Sequence, residues 1–149
     1  QSPYNVGLPI ELPEFNYSQV NDLVQKHQLR WDDKDVSQLM KMVGGHPYLV
    51  RKALYEIARG RTSFSELLRV APTEQGMFSD HLRRHLSNLR EDDNLLGAMK
   101  QVIASRRAVR LDTGLAFKLR SMGLVKFQGN DVIPLCDLYR LYFRENLSR

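Results

Sequence analysis

The chain has 149 residues, an apolar fraction of 42% and a charged fraction of 26%, enough for one compact domain or two small subdomains sharing an interface, and too apolar for disorder. No apolar run approaches the roughly 18 residues of a membrane span, and Gln1-Ser2-Pro3-Tyr4 lacks the charged and apolar regions of a signal peptide. The net charge of +5 is placed unevenly: residues 1 to 105 carry 13 basic and 13 acidic side chains, residues 106 to 149 carry 9 and 4. The last third is therefore expected to meet an acidic partner, nucleic acid first and an acidic protein face second. The single Cys136 cannot form an internal disulfide, has no acidic or His constellation beside it to suggest catalysis, and fits a reducing, cytoplasmic location.

In chain order, residues 1 to 15 contain Pro3, Gly7, Pro9 and Pro13 and alternate Val6, Leu8, Ile10 and Leu12 with other residues, the pattern of an extended arm. The absent initiator Met and this start suggest a fragment cut from a neighbour. Asn16 is placed to cap a short amphipathic helix carrying Val20, Leu23, Val24 and His27. After a loop at Trp31 to Asp35, Asp33 or Asp35 is expected to cap a helix with Val36, Leu39, Met40 and Val43 in a stripe. The Gly44-Gly45 pair then turns the chain. Pro47 restarts a helix with Leu49, Val50, Ala53, Leu54 and Ile57 at core spacing, which Gly60 stops.

Thr62 or Ser63 is expected to cap a brief helix ended by Pro72, and a long helix is expected over Glu74 to Arg90, with Asp80 supporting Arg84 at i,i+4. A further helix follows Asp92-Asp93 to about Ser105. Ala108-Val109-Arg110-Leu111 reads as a short strand, Asp112 or Thr113 as the cap of a helix to Met122, and the turn at Gln128-Gly129-Asn130-Asp131 as the centre of a hairpin. A Tyr- and Arg-rich helix closes the chain. Helix, strand, helix, hairpin is the order of a winged-helix domain, which divides the chain near residue 73 or 92 into an all-helical piece and a winged piece.

Three groups of residues carry candidate chemistry. Amides at the helix start after Gly44, Gly45, His46, Pro47 and Tyr48 suit an anion or the polar edge of a nucleotide. His81 and His85 stand four apart, a metal-compatible spacing that lacks a third ligand on the same face, so a satisfied groove role is preferred. On the helix before the hairpin, Thr113, Lys118, Arg120 and Ser121 are expected to face outward, with Arg106, Arg107, Arg110, Lys126, Arg140 and Arg144 as candidate phosphate contacts. Between Leu111 and Leu124 there is room for only one helix, where a DNA-reading winged helix has two, so docking of this basic face on another domain is preferred to nucleic-acid binding.

The string Gly44-Gly45-His46-Pro47-Tyr48-Leu49-Val50 resembles the Gly-Gly-x-Pro motif in the helical lid of AAA-like and STAND-type P-loop ATPases. Ser2-Pro3-Tyr4-Asn5-Val6-Gly7 with Leu12-Pro13 is similar to the segment that follows the last core strand of their nucleotide domain. Ala71-Pro72-Thr73-Glu74, Ser79 to Leu86 and Met122-Gly123-Leu124-Val125 also resemble the bacterial AAA-like family, so the likeness spans nearly the whole chain. It implies a mainly α fold in three parts: an arm over 1–15 from a missing nucleotide-binding core, a lid resembling the AAA+ small domain over 16–73, and a winged-helix-like part with a small hairpin over 74–149. It also implies that Gly45, His46 and Pro47, supported by Gly44 and Tyr48, lie beside the nucleotide of the intact parent, which would use ATP or ADP with Mg. The implied partners are the missing core, other domains of the parent and further copies of the chain, with no membrane involved. No Gly-x-x-x-x-Gly-Lys-Ser/Thr string and no apolar strand ending in paired acids occurs in the chain. No catalytic residue, cofactor or metal is therefore assigned here, and hydrolysis by these residues alone is not expected.

Overall fold

Short polar side chains accepting from the free amides of the first turn set most helix starts in this chain. The computed structural model describes residues 13–147, so the predicted arm lies outside the described residues up to position 12. Asn16 caps α1 (Tyr17–Lys26) and Gln19 caps it in return, both bonds being 2.9 Å long. Asp32, rather than Asp33 or Asp35, caps α2 (Asp33–Val43). Asp35 is its reciprocal partner in the first turn, and Asp33 accepts from the Tyr17 hydroxyl instead.

The helix α3 (Pro47–Ala58) opens on Pro47, and Ser63 caps α4 (Phe64–Val70). The expected long helix from Glu74 is shorter: α5 spans Ser79–Arg90, and the residues before it form turns. Gly76 accounts for the difference. A Cβ there would stand 2.5 Å from the Val70 carbonyl oxygen and 2.8 Å from that of Ala71, so the chain folds back on the end of α4 at a separation only glycine permits. The Asp80 carboxylate pairs with Arg83, not Arg84, and Arg83 also reaches Glu74 at 2.7 Å in the turn segment.

Asp92 caps α6 (Asp93–Ala104) through the amides of Asn94 and Leu95, and Asp112 caps α7 (Thr113–Ser121). The hairpin pairs β1 (Val125–Gln128) with β2 (Asp131–Pro134) across a two-residue Gly129-Asn130 loop, with Gly129 at φ +68°. Val109 adds an isolated bridge to Val132 through two 2.9 Å bonds, which realises the short strand-like segment as one paired residue. The last helix, α8 (Asp137–Asn146), packs on α2, α5, α6 and β2. Leu138, Tyr139, Tyr142 and Phe143 bury one side of it, each contributing on the order of 1.5–3 kcal/mol by leaving water.

The chain is mainly α, with eight helices and one two-stranded antiparallel hairpin among the described residues. Its buried apolar side chains form a single cluster running from Val20 to Leu147. Through α8 the helices before residue 73 and the elements after it share that core. Among the described residues no helix is long and apolar enough to cross a membrane.

Candidate functional site

The turn between α2 and α3 is built by two glycines with different duties. Gly44 ends α2 by donating its N–H to the Met40 carbonyl at 2.7 Å and holds φ +64°, ψ −158°, a region essentially reserved for glycine. A Cβ on Gly44 would meet the Leu135 carbonyl oxygen at 3.3 Å. Gly45 is buried, and its carbonyl accepts the Phe15 N–H at 2.8 Å. A Cβ on Gly45 would stand 2.1 Å from the Phe15 carbonyl oxygen. The close approach that glycine permits is thus used by the chain's own backbone.

Beyond the pair, His46 caps α3, its Nδ1 accepting the Leu49 N–H at a long 3.4 Å, and Pro47 occupies the first helical position where no N–H is required. Burial holds the His46 pKa below its usual value. The ring faces His81 of α5 edge-on at 5.4 Å between centroids, while the 47%-exposed Tyr48 stacks on the other side of His81 at 5.3 Å. His85, one turn further along α5, meets His81 at 4.7 Å, and Tyr139 of α8 stacks on His81 and meets His85 edge-on. The Tyr139 hydroxyl and His81 Nε2 share a 2.7 Å hydrogen bond, whereas His85 Nδ1 is buried without a hydrogen-bond partner among the described residues.

Burial first, and then the neighbouring His85, His46, Arg84 and Lys52, push His81 down to about 3. Burial, His46 and Arg84 push His85 down to about 4. All three imidazoles are therefore neutral at physiological pH, and the i,i+4 pair serves as packing and hydrogen bonding between the glycine turn and α8. Among the described residues no group of three or more His, Cys, Asp or Glu side chains is placed to hold a metal ion.

Two clefts flank the turn. One, of about 480 Å³, has Glu14, His46 and Pro47 on one wall and Arg120, Met122 and Lys126 on the other. The second, of about 470 Å³, brings Gly44 and Gly45 together with Lys126 and Arg140. The sequence-selected cations are thus distributed. Arg120 and Lys126 reach the glycine turn, Arg140 sits beside Asp137 at 3.9 Å, and Arg110 pairs with Asp131 at 2.6 Å on a separate recess. Arg106, Arg107, Lys118 and Arg144 are exposed and line none of these three recesses. Thr113 and Ser121 are exposed as expected on α7, while Arg120 is half-buried against the Phe127 ring at 5.3 Å.

Sequence reasoning did not single out Glu14, Phe15 or Tyr139. The pairing of Phe15 with Gly45 and of Tyr139 with His81 joins residues far apart in the chain, and no local pattern announces either. Cys136 is buried, and its thiol is pushed up to about 12 by that burial, which leaves it protonated.

A family model described as the AAA-like domain matches residues 1–145. The chain belongs to this family. No curated protein and no solved structure gives a significant match. The matched span of the AAA-like domain includes the glycine turn, the His–Tyr cluster and both clefts.

Proposed function

We propose that this AAA-like chain is the lid and winged-helix portion of a STAND-type P-loop ATPase, a regulatory part that hydrolyses nothing by itself and relays the nucleotide state of a core by docking against it. The observation that carries the reading is the cleft at the glycine turn, where His46 and Pro47 of the lid face Arg120 and Lys126 from the α7–β1 corner. A nucleotide bound by a core at this cleft would meet both halves of the chain at once. Its base would lie against the lid turn and its phosphates within reach of cations. The order α6, Val109 bridge, α7, hairpin supports the winged-helix assignment. Magnesium would be held by the core, since the described residues offer no ligand cluster for it.

Calorimetry tests the proposal. The chain alone should take up neither ATP nor ADP tightly, and micromolar affinity with turnover would remove the assignment. In the intact parent, His46→Ala should weaken nucleotide binding by about tenfold, on the order of 1.4 kcal/mol, with the fold retained by circular dichroism. A DNA-reading winged helix is the competing assignment, favoured by the exposure of Arg106, Arg107, Arg110 and Lys118. Docking is preferred because α7 is the one helix between Leu111 and Leu124.

A further inference from the structure

The side of the hairpin away from Lys126 carries a recess that the nucleotide-relay reading does not use. Along β1, Lys126 lines both clefts at the glycine turn, while Phe127 stands between one of them and this recess and lines both. There Phe127 meets Phe117 of α7, ring centroids 5.3 Å apart and planes at 60°. Phe117 is 53% exposed, the most exposed of the large apolar side chains among the described residues, and stands outside the apolar core. Together with Arg110, Thr113 and Asn130 the two rings bound an opening of about 300 Å³.

The charges around it are uneven. Arg110 forms one wall, and exposed Lys118, Arg106 and Arg107 lie on the adjoining helix and connection. Two carboxylates lie nearby, Asp131 paired with Arg110 and Asp112 accepting the Leu115 N–H, so four cations stand against two acids. An open aromatic face beside a row of cations, with a hydroxyl and an amide at the rim, matches a ligand that has both a π-face and phosphates. A peptide rich in Asp and Glu has no flat face to place on Phe117. A duplex offers phosphates but keeps its base faces stacked away.

We propose that the recess formed by Phe117, Phe127, Arg110 and Asn130 binds single-stranded nucleic acid, one base stacking on Phe117 and the backbone following Arg110, Lys118 and the Arg106-Arg107 pair. The site differs from a winged-helix reading of duplex DNA in that the exposed ring, not helix insertion in a groove, supplies the recognition. Phe127 also lines the cleft at the glycine turn, but Arg110, Thr113, Phe117 and Asn130 line this recess alone, and the proposal does not rest on the nucleotide-relay reading.

The test is fluorescence anisotropy with a labelled 15-nucleotide single strand, the same sequence as a duplex, a poly-Glu peptide as competitor and AMP as a second competitor. The single strand should bind at least tenfold more tightly than the duplex, with log affinity falling against log salt at a slope near −2 for about three phosphate contacts. Phe117→Ala, at a side chain outside the core, should weaken binding by about tenfold with little change in slope, and Phe117→Trp should restore it. Lys118→Ala should flatten the slope by about 0.7, whereas Lys34→Ala, the same loss of charge on α2, should change nothing. Equal or tighter duplex binding, displacement by poly-Glu or by AMP at comparable concentration, or full binding by Phe117→Ala would each overturn the proposal.

Discussion

Acidification between pH 7 and pH 5 should destabilise this protein through the imidazoles packed between the glycine turn and α8. In the unfolded chain each His titrates near 6.5, while in the fold His81 titrates near 3 and His85 near 4, with burial as the first cause of both. The folded pKa values lie below the unfolded ones, so the stabilisation is complete above about pH 7. It is lost as pH falls below 6.5, where only the unfolded chain takes up protons. At about 1.36 kcal/mol per pH unit, rings sealed from water would contribute roughly 3–5 kcal/mol each. Both rings are only half-buried and their charges would be screened. The mutual repulsion of the two rings must also be counted once. About 2–3 kcal/mol for the pair is the resulting expectation, about half of it gone by pH 5 and the rest lost as pH falls on toward 4 and 3. Urea unfolding at half-unit pH steps measures it, and carboxylates remain largely ionised across that window. A His81→Gln, His85→Met double variant should lose at most a few tenths of a kcal/mol over the same range. A flat profile for the unmodified chain, or an equally steep one for the double variant, would refute the reasoning.

Other substitutions probe the frame around the turn. Gly45→Ala should cost about 1–3 kcal/mol in denaturant unfolding, because a Cβ 2.1 Å from the Phe15 carbonyl oxygen forces backbone apart; an unchanged midpoint would mean that the contact is not formed in solution. Gly44→Ala should cost a similar amount, about 1–3 kcal/mol, through its φ of +64° and ψ of −158°, and Gly44→Asn should fare no better, since Asn favours the left-handed helical region and not this one; an unchanged midpoint for either would refute the backbone argument. Cys136 should resist alkylation by iodoacetamide at pH 8 until denaturant is added, since its thiol is buried and titrates near 12; rapid labelling of the folded chain would contradict its placement. Asp92→Ala should remove about 1 kcal/mol by leaving the Asn94 and Leu95 amides at the start of α6 without their acceptor, while Asp93→Ala should have a smaller effect on the same unfolding curve.

What could be read in advance follows the range of each interaction along the chain. Asn16, Ser63 and Asp112 bond to amides three residues away, so their caps are visible as local sequence patterns, and the Gly129-Asn130 loop is legible for the same reason. The choice of Asp32 over its two acidic neighbours is not, because Tyr17, 16 residues earlier, occupies Asp33. Likewise the start of α5 depends on how closely Gly76 approaches Val70 and Ala71, a tertiary contact that overrides helical periodicity at Met77 and Phe78. The spacing of His81 and His85 is plain in the sequence, but its use is decided by Tyr139, 58 residues beyond His81. The basic excess of the last third is equally plain, and only the fold separates Arg120 and Lys126 at the glycine turn from Arg110 on the recess beside Phe117.

The placement of the glycine pair gives the proposed relay a concrete route. Backbone from Phe15 is fastened to Gly45 with no room for a Cβ between them, and Gly44 sits against Leu135 and Cys136, where α8 begins. Three residues into α8, Tyr139 holds His81 of α5 and meets His85 edge-on. A displacement of the segment at Pro13 to Phe15 therefore has no slack to absorb it at the turn, and close-packed interiors respond to such a push by moving as bodies or by switching contacts rather than by compressing. Under the proposed function a core that moves this segment with its nucleotide state would shift the start of α8 and strain the His81–Tyr139 bond. The imidazole cluster is then both a structural joint and the place where such movement would be felt first, since His85 already lies buried with Nδ1 unpartnered among the described residues. The pH profile and the Gly45→Ala variant should consequently couple: loosening the turn should let water reach the rings and bring their titration back toward 6.5, reducing the acid sensitivity that the intact packing creates.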